Sequence, residues 1–334
     1  MKAAVIRGAH DLAPIDLPEP ELPEGKILLR VSHVGICGSD LSYYNKGAVG
    51  AFRVAEPLVP GHELAATVLR DDRPDGIATG TKVTLHPATP GIRLPGLGDR
   101  PNLWPESRYL GSAATVPHQQ GAMAALIVTE PERLRLLPDD LPLRRAALAE
   151  PLAVGLHAIR LAGDVRGKRV LVSGAGPIGV LLALACRVKG AEVTVSDILP
   201  QAVERAVALG VPTGLVVGTD GIPQEAFDVV FEASGAPAAV STCLNATARG
   251  GAVVQVGMLP AGDQPVDVSV LTARELRYLG SFRFNDEIDE AIAMLAEHPD
   301  FEGVVTHQFV VDDVVAAFAC AADPSLSLKV LVTF

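Results

Sequence analysis

The sequence predicts an α/β protein of two parts: a β-rich, barrel-like domain, then a doubly wound parallel-sheet domain. Three observations carry this. Short strand-like runs alternate with Gly and Pro up to about residue 145. Beyond that point strand, glycine turn and helix repeat in order, the rhythm of a parallel sheet covered on both faces. Finally, a Gly-x-Gly-x-x-Gly turn sits between a strand and a helix at Gly174, Gly176 and Gly179.

In the first part the predicted strands are Ala3–Arg7, Lys26–His33, Glu63–Leu69, Lys82–Leu85 and Ala124–Val128. Each is a short apolar run bounded by turn residues. Residues 87–111 are the least regular stretch, broken by five prolines. In the second part Arg169–Val172, Val193–Ser196, Asp228–Glu232 and Ala252–Val256 read as strands. Pro177–Lys189, Pro200–Leu209 and Pro237–Ala248 read as the helices between them. An amphipathic helix at Ile288–Leu295 and a strand at Leu328–Thr333 follow.

A chain of 334 residues suggests about two domains at ~150 residues each. Its net charge of −11 lacks the basic stripe of a nucleic-acid binder. The longest apolar runs, Gly179–Cys186 and Val314–Ala322, fall short of the ~20 residues a membrane span needs. Arg7, His10 and Asp11 stand where a signal peptide would carry its apolar core. Cys37, Cys186, Cys243 and Cys320 lie far apart and form no disulfide framework, which fits a reducing cytoplasm.

The glycine turn has a physical reading. Gly174 permits the tight turn, Gly176 lets backbone approach a pyrophosphate, and Gly179 lets helix pack on strand. Pro177 suits the first helical turn, and Ile178 follows it. The helix start then offers unpaired N–H groups to phosphate. Asp197, 21 positions after Gly176, ends the next strand and is placed to accept from ribose hydroxyls. Its charge repels a 2′-phosphate, and Ile198 and Leu199 bring no arginine, so NAD is expected rather than NADP.

Two motifs mark the first part, Gly35-Ile36-Cys37-Gly38-Ser39-Asp40 and Gly61-His62-Glu63. Cys37 alone reads as a small core residue, and His62 alone as an ordinary polar one. With Glu63 and Glu150 they offer thiolate, imidazole and carboxylate, a donor set suited to a catalytic Zn²⁺ with an open position.

With these motifs in hand, the chain resembles the zinc-dependent medium-chain dehydrogenases, in particular the sorbitol dehydrogenase branch and its idonate-type members. GICGSDLSYY, PGHE, RYLGSAATVPH, AEPLAVGLHA, SGAGPIGVL, FEASG, VQVGM and GSFRF carry the likeness, from residue 35 to 284. The resemblance implies a GroES-like catalytic domain over residues 1–146, a Rossmann domain over 147–285, and a return to the catalytic domain over 286–334. It implies that Cys37, His62 and Glu63 hold zinc, with Glu150 a direct or water-bridged ligand. Asp40 would orient His62 through its other ring nitrogen. Ser39 and Tyr43 would relay a proton. Val256, Gly257, Met258, Ser281 and Phe282 would line the nicotinamide.

Arg283 would reach the substrate; the plainer reading pairs it with Asp286 on the surface. The expected chemistry is NAD-linked oxidation of a secondary alcohol of a sugar acid or polyol, idonate first, then sorbitol and xylitol. For a substrate carboxylate Arg283 is the first cationic partner, with His118 and Lys46 behind it. A small-molecule substrate and a homodimer or homotetramer follow from the same likeness.

Two departures stand out. Ser42 replaces the family's usual histidine. The lobe that normally carries four cysteines reads PATPGIRLPGLGDRPNLWPESRYLG, with none. One zinc per chain is therefore expected, with Leu94, Leu97, Leu103 and Trp104 packing in place of the second. Two other readings stand beside this one: a zinc-free, NADPH-linked quinone-type reductase, and a cofactor-binding protein without turnover.

Overall fold

The computed structural model describes all 334 residues. The chain divides into two units, Met1–Glu150 with Ile288–Phe334, and Pro151–Glu287. The boundaries at 150 and 287 fall a few residues beyond the 146 and 285 that the resemblance implies.

In the first unit, apolar residues alternate along the strands and their buried faces close on one core. Val5, Ile6, Leu29, Val31, Leu64, Val83 and Val332 are all buried there. A seven-stranded sheet organises the unit: six strands run in the order Leu134–Leu136, Lys82–Leu85, Glu63–Asp71, Ile27–Gly35, Lys329–Thr333, Val305–Val310, and Leu126–Thr129 pairs beside this path. Ile27–Gly35 is central. Its first half pairs with Leu126–Thr129 and its second half with Lys329–Thr333, both antiparallel. This register puts Gly35 directly opposite Glu63 and Leu331. The chain then turns into the helix Gly38–Lys46, so Cys37 stands at the helix start, one strand away from His62–Glu63.

The second unit is a six-stranded parallel sheet in the order Thr213–Val216, Glu192–Asp197, Arg169–Ser173, Phe227–Glu232, Thr247–Gln255, Arg277–Gly280. Its central strands are buried on both faces: Val170, Leu171, Val172, Val229, Val230 and Phe231 are nearly inaccessible. Such side chains stabilise by ~1.5–3 kcal/mol each. The helix Pro177–Val188 covers the sheet, buried from Gly179 to Cys186. A Cβ on Gly179 would lie 1.9 Å from the Gly174 carbonyl oxygen, so only glycine allows this approach of helix to turn. Helix Pro237–Ala246 ends two residues earlier than the sequence suggested, because Thr247 already belongs to the next strand. The edge strand Arg277–Gly280 was not read from the sequence. It exposes Arg277, Tyr278 and Gly280, so no apolar run marks it.

Candidate metal centre and dinucleotide site

The sheet register delivers the donors. The ligating atoms of Cys37, His62 and Glu63 all lie within 4.8 Å of one another. Zinc–sulfur and zinc–nitrogen bonds of about 2.3 and 2.0 Å span such a gap after small rotations. His62 and Glu63 are buried, and Glu63 is fully inaccessible. Room for Glu63 exists only because residue 35 is glycine: a Cβ there would sit 2.0 Å from Glu63 Oε2.

The surroundings are rich in acids. One thiol and three carboxyls (Cys37, Asp40, Glu63, Glu150) share the site with one imidazole and one ammonium. Burial pushes the Asp40 and Glu150 carboxyls up from their ordinary range, against the pull of His62. Burial opposes the charge on His62, yet Cys37, Glu150 and Asp40 outweigh it and hold its pKa well above the usual imidazole value. The His62 Nδ1 atom is buried without a hydrogen-bond partner. A cluster so short of positive charge, with soft and hard donors converging, fits a divalent zinc.

Two further residues complete this centre. Lys329 Nζ donates to Glu63 Oε1 (2.8 Å), Glu63 Oε2 (2.6 Å) and the Ile36 carbonyl (3.1 Å), using all three of its protons. Burial opposes its charge, but Glu63 and Cys37 outweigh burial and hold the ammonium form. Tyr109 donates its hydroxyl to Glu150 Oε1 at 2.6 Å and packs edge-on against the His62 ring, with centroids 5.4 Å apart. Glu150 is buried beside the cluster, but it is not one of the three gathered donors.

The expectation for Asp40 needs correction. Asp40 makes no bond to His62 Nδ1. Its carboxylate accepts instead from the Cys37 N–H (2.9 Å) and the Gly61 N–H (3.0 Å). It therefore ties together the backbone segments that carry the ligands. Tyr43 is a core residue whose hydroxyl accepts from the Ala113 N–H at 3.0 Å. Ser39 is half-buried in the first turn of its helix, and Lys46 is exposed in the last.

His118 cannot serve as a cation for substrate. Its Nε2 accepts from the Ala55 and Glu56 N–H groups, so its Nδ1 must donate to the Thr115 carbonyl. That pattern requires a neutral ring. The cysteine-free lobe is not packed as expected either. Leu94 is 36% exposed, and none of Leu94, Leu97, Leu103 and Trp104 joins the core. The lobe is held by polar contacts: Trp104 Nε1 donates to the Leu97 carbonyl at 2.7 Å, and the Ile92 N–H to Pro105 at 2.9 Å.

In the second unit the glycine turn keeps its expected geometry. Gly174 has φ +106°, open only to glycine without strain. A Cβ on Gly176 would meet no atom within 4 Å, and the helix it caps has no side-chain cap, so its first N–H groups face outward. Asp197 accepts from the Ala175 N–H (2.7 Å) and the Leu199 N–H (2.9 Å), bracing the turn. Beside it lies a cavity of about 180 Å³ lined by Gly174, Asp197, Ile198, Ser234 and Cys243. Burial pushes the Cys243 thiol up to about 12, so it is an inert part of the wall.

At the ends of the neighbouring strands Val256–Met258 and Ser281–Phe282 lie side by side, with the Ser281 N–H donating to Gln255 at 2.9 Å. Met258 and Phe282 are exposed apolar side chains. Glu232, unassigned from sequence, is fully buried. It accepts from the Ser234 and Gly235 N–H groups and from Gln255, joining the two strand ends. Arg283 has φ +54° and lies over the Phe282 ring at 4.8 Å. Asp286, its supposed surface partner, bonds Arg160 at 2.8 Å.

Comparison with known proteins agrees with this geometry. Residues 23–139 match the alcohol dehydrogenase GroES-like domain and residues 177–297 the zinc-binding dehydrogenase domain. L-idonate 5-dehydrogenase (NAD(P)(+)) of Escherichia coli is 33% identical over 327 residues, 92% of this chain and 91% of that protein. The chain belongs to the zinc-dependent medium-chain dehydrogenases. Sorbitol dehydrogenase of Bacillus subtilis is 30% identical, over 92% of this chain and 90% of its own. The crystal structure of the E. coli L-idonate 5-dehydrogenase superimposes with a TM-score of 0.91 at 30% identity, covering 100% of this chain and 98% of that one. As a member of this family of polyol and sugar-acid dehydrogenases, the chain is an oxidoreductase acting on CH–OH groups. No helix is long and apolar enough to cross a membrane.

Proposed function

We propose that this chain is an NAD-linked, L-idonate 5-dehydrogenase-type enzyme, converting L-idonate to 5-keto-D-gluconate with one catalytic zinc. The convergence of the Cys37, His62 and Glu63 donor atoms within 4.8 Å carries the reading. Bound zinc would supply Lewis acidity, lowering the pKa of a coordinated alcohol.

The chain's own residues do the rest. Cys37, His62 and Glu63 hold the ion, and Asp40 fixes the spacing of the segments that bear them. Lys329 offsets part of the carboxylate charge. Ser39, half-buried at the helix start, and Tyr43, whose hydroxyl keeps its own proton to donate, are the candidates for moving the alcohol proton. Gly174 and Gly176 let the backbone approach the pyrophosphate, and the helix start Pro177-Ile178-Gly179 offers it the Ile178 and Gly179 N–H groups. Asp197 disfavours a 2′-phosphate, which supports NAD over NADP. Val256, Gly257, Met258, Ser281 and Phe282 would line the nicotinamide, the group that would supply hydride acceptance when bound.

Arg283 is the partner for a substrate carboxylate, since its guanidinium can bind one bidentately. Kinetics of Arg283→Ala on L-idonate and on sorbitol test this. Loss of kcat/KM by about tenfold or more on L-idonate, with little change on sorbitol, is the expected result. Equal loss on both, or a wild type that prefers sorbitol or xylitol, replaces the sugar-acid reading with a polyol one. We further propose a homodimer joined through the exposed edge strand Arg277–Gly280, whose free backbone groups can extend the sheet into a second copy. The four unpaired cysteines support a cytoplasmic setting.

A further inference from the structure

We infer that Tyr109 is a positioning residue that keeps Glu150 out of the metal's ligand set, leaving three protein donors and an open position. The inference rests on the reading that Cys37, His62 and Glu63 hold a metal ion. Glu63 and Glu150 are both buried carboxylates beside His62, yet the structure treats them differently. Glu63 gathers with Cys37 and His62 while both its oxygens also accept from Lys329. Glu150 stays out of that group, and its Oε1 accepts from the Tyr109 hydroxyl at 2.6 Å.

The same phenol ring packs edge-on against His62, at 68° between planes. One side chain thus sets the spacing between a ligand imidazole and the second acid. Its placement does not depend on the metal. Tyr109 lies in the short ladder Arg108–Tyr109 with Ala88–Thr89, and the Leu110 N–H donates to the Pro87 carbonyl. The cysteine-free lobe therefore supplies the hydroxyl that restrains Glu150.

Phenylalanine would keep the ring and lose the donor. A buried carboxylate oxygen without a partner is costly, and a metal ion held by the adjoining donors would satisfy it, since the Lys329 ammonium is already committed to Glu63 and the Ile36 carbonyl. Glu150 would then swing into the coordination shell.

The test uses the cobalt-substituted full chain, because four-coordinate Co²⁺ absorbs much more strongly in the visible than five-coordinate Co²⁺. Wild type is expected to bind one Co²⁺ with an intense four-coordinate spectrum. Tyr109→Phe should show the weaker five-coordinate spectrum, release cobalt to a chelator about tenfold more slowly, and lose about tenfold or more in kcat with its cobalt retained. In the double variant Tyr109→Phe with Glu150→Gln, the four-coordinate spectrum should return, since the amide is a poor ligand.

Wild-type spectrum and release rate in Tyr109→Phe would overturn the inference. So would a changed spectrum in Glu150→Gln alone, which would mean that Glu150 is already a ligand; this arm does not require the tyrosine variant to fold. A wild type that takes up no cobalt would overturn the metal reading itself, and the inference with it.

Discussion

Replacing Lys329 by methionine would expose how the first unit tolerates its buried acid. The ammonium makes three hydrogen bonds, two to Glu63 and one to the Ile36 carbonyl, at 2.6 to 3.1 Å. Both partners of the ion pair are essentially inaccessible, at 2% and 0% side-chain exposure. Methionine fills the same space but leaves the Glu63 carboxylate uncompensated, and breaking a buried pair from one side costs about 3–5 kcal/mol. The assay is urea unfolding of the metal-free chain, followed by the fluorescence of Trp104, the single tryptophan, which lies in this unit. At a slope of about 2.5 kcal/mol per M urea the midpoint should fall by roughly 1–2 M. Zinc should recover more stability in Lys329→Met than in wild type, because the ion takes over the lost charge. The double variant with Glu63→Gln should lose less than Lys329→Met alone. A midpoint within about 0.3 M of wild type at unchanged slope would refute the reasoning.

Asp197→Ala should cut kcat/KM for NAD about tenfold or more while that for NADP changes little, read from initial rates with each cofactor; an equal fall with both would remove the selectivity argument. Low pH should weaken the second unit through Glu287. Burial pushes its carboxyl up, but the His157 hydrogen bond and the Asn285 N–H outweigh burial and hold it at about 2, below the ordinary 4.5. Its contribution, on the order of 3 kcal/mol, is therefore complete above pH about 4.5 and fades as pH falls from there toward 2. Glu287→Gln should unfold earlier at neutral pH and show a flatter acid limb by circular dichroism; an unchanged acid limb would contradict this.

The second unit was legible because its information is local. Strand, glycine turn and helix follow each other within thirty residues or so, and Gly174, Gly176 and Asp197 carry their chemistry in the sequence. The first unit was harder. Ile27–Gly35 pairs with Lys329–Thr333 across some 300 positions, and nothing near either strand announces the other. The donors Cys37, His62 and Glu63 were readable as residue types; their partners were not. Lys329 had one signal, a lone charge between apolar Leu328 and Val330, which asks for a buried partner. Cys37-x-x-Asp40 has capping-box spacing, which explains why Asp40 serves backbone rather than His62. Tyr109 stood inside the RYLGSAATVPH string without a role, since a tyrosine after a proline-rich loop reads as packing. His118 misled because a histidine in an acidic protein suggests a cation, while backbone contacts hold it neutral.

The bond between Glu63 and Lys329 spans 266 residues, and all of Pro151–Glu287 lies between them. On the ribosome, the dinucleotide-binding half is therefore translated before the ion-holding half can close. Newly made Glu63 has no counter-charge until its lysine emerges, at ~5–20 residues per second some 13–50 seconds later. The later-made half can fold first, and the earlier-made half matures last, around an acidic pocket that a dication could occupy in the interval.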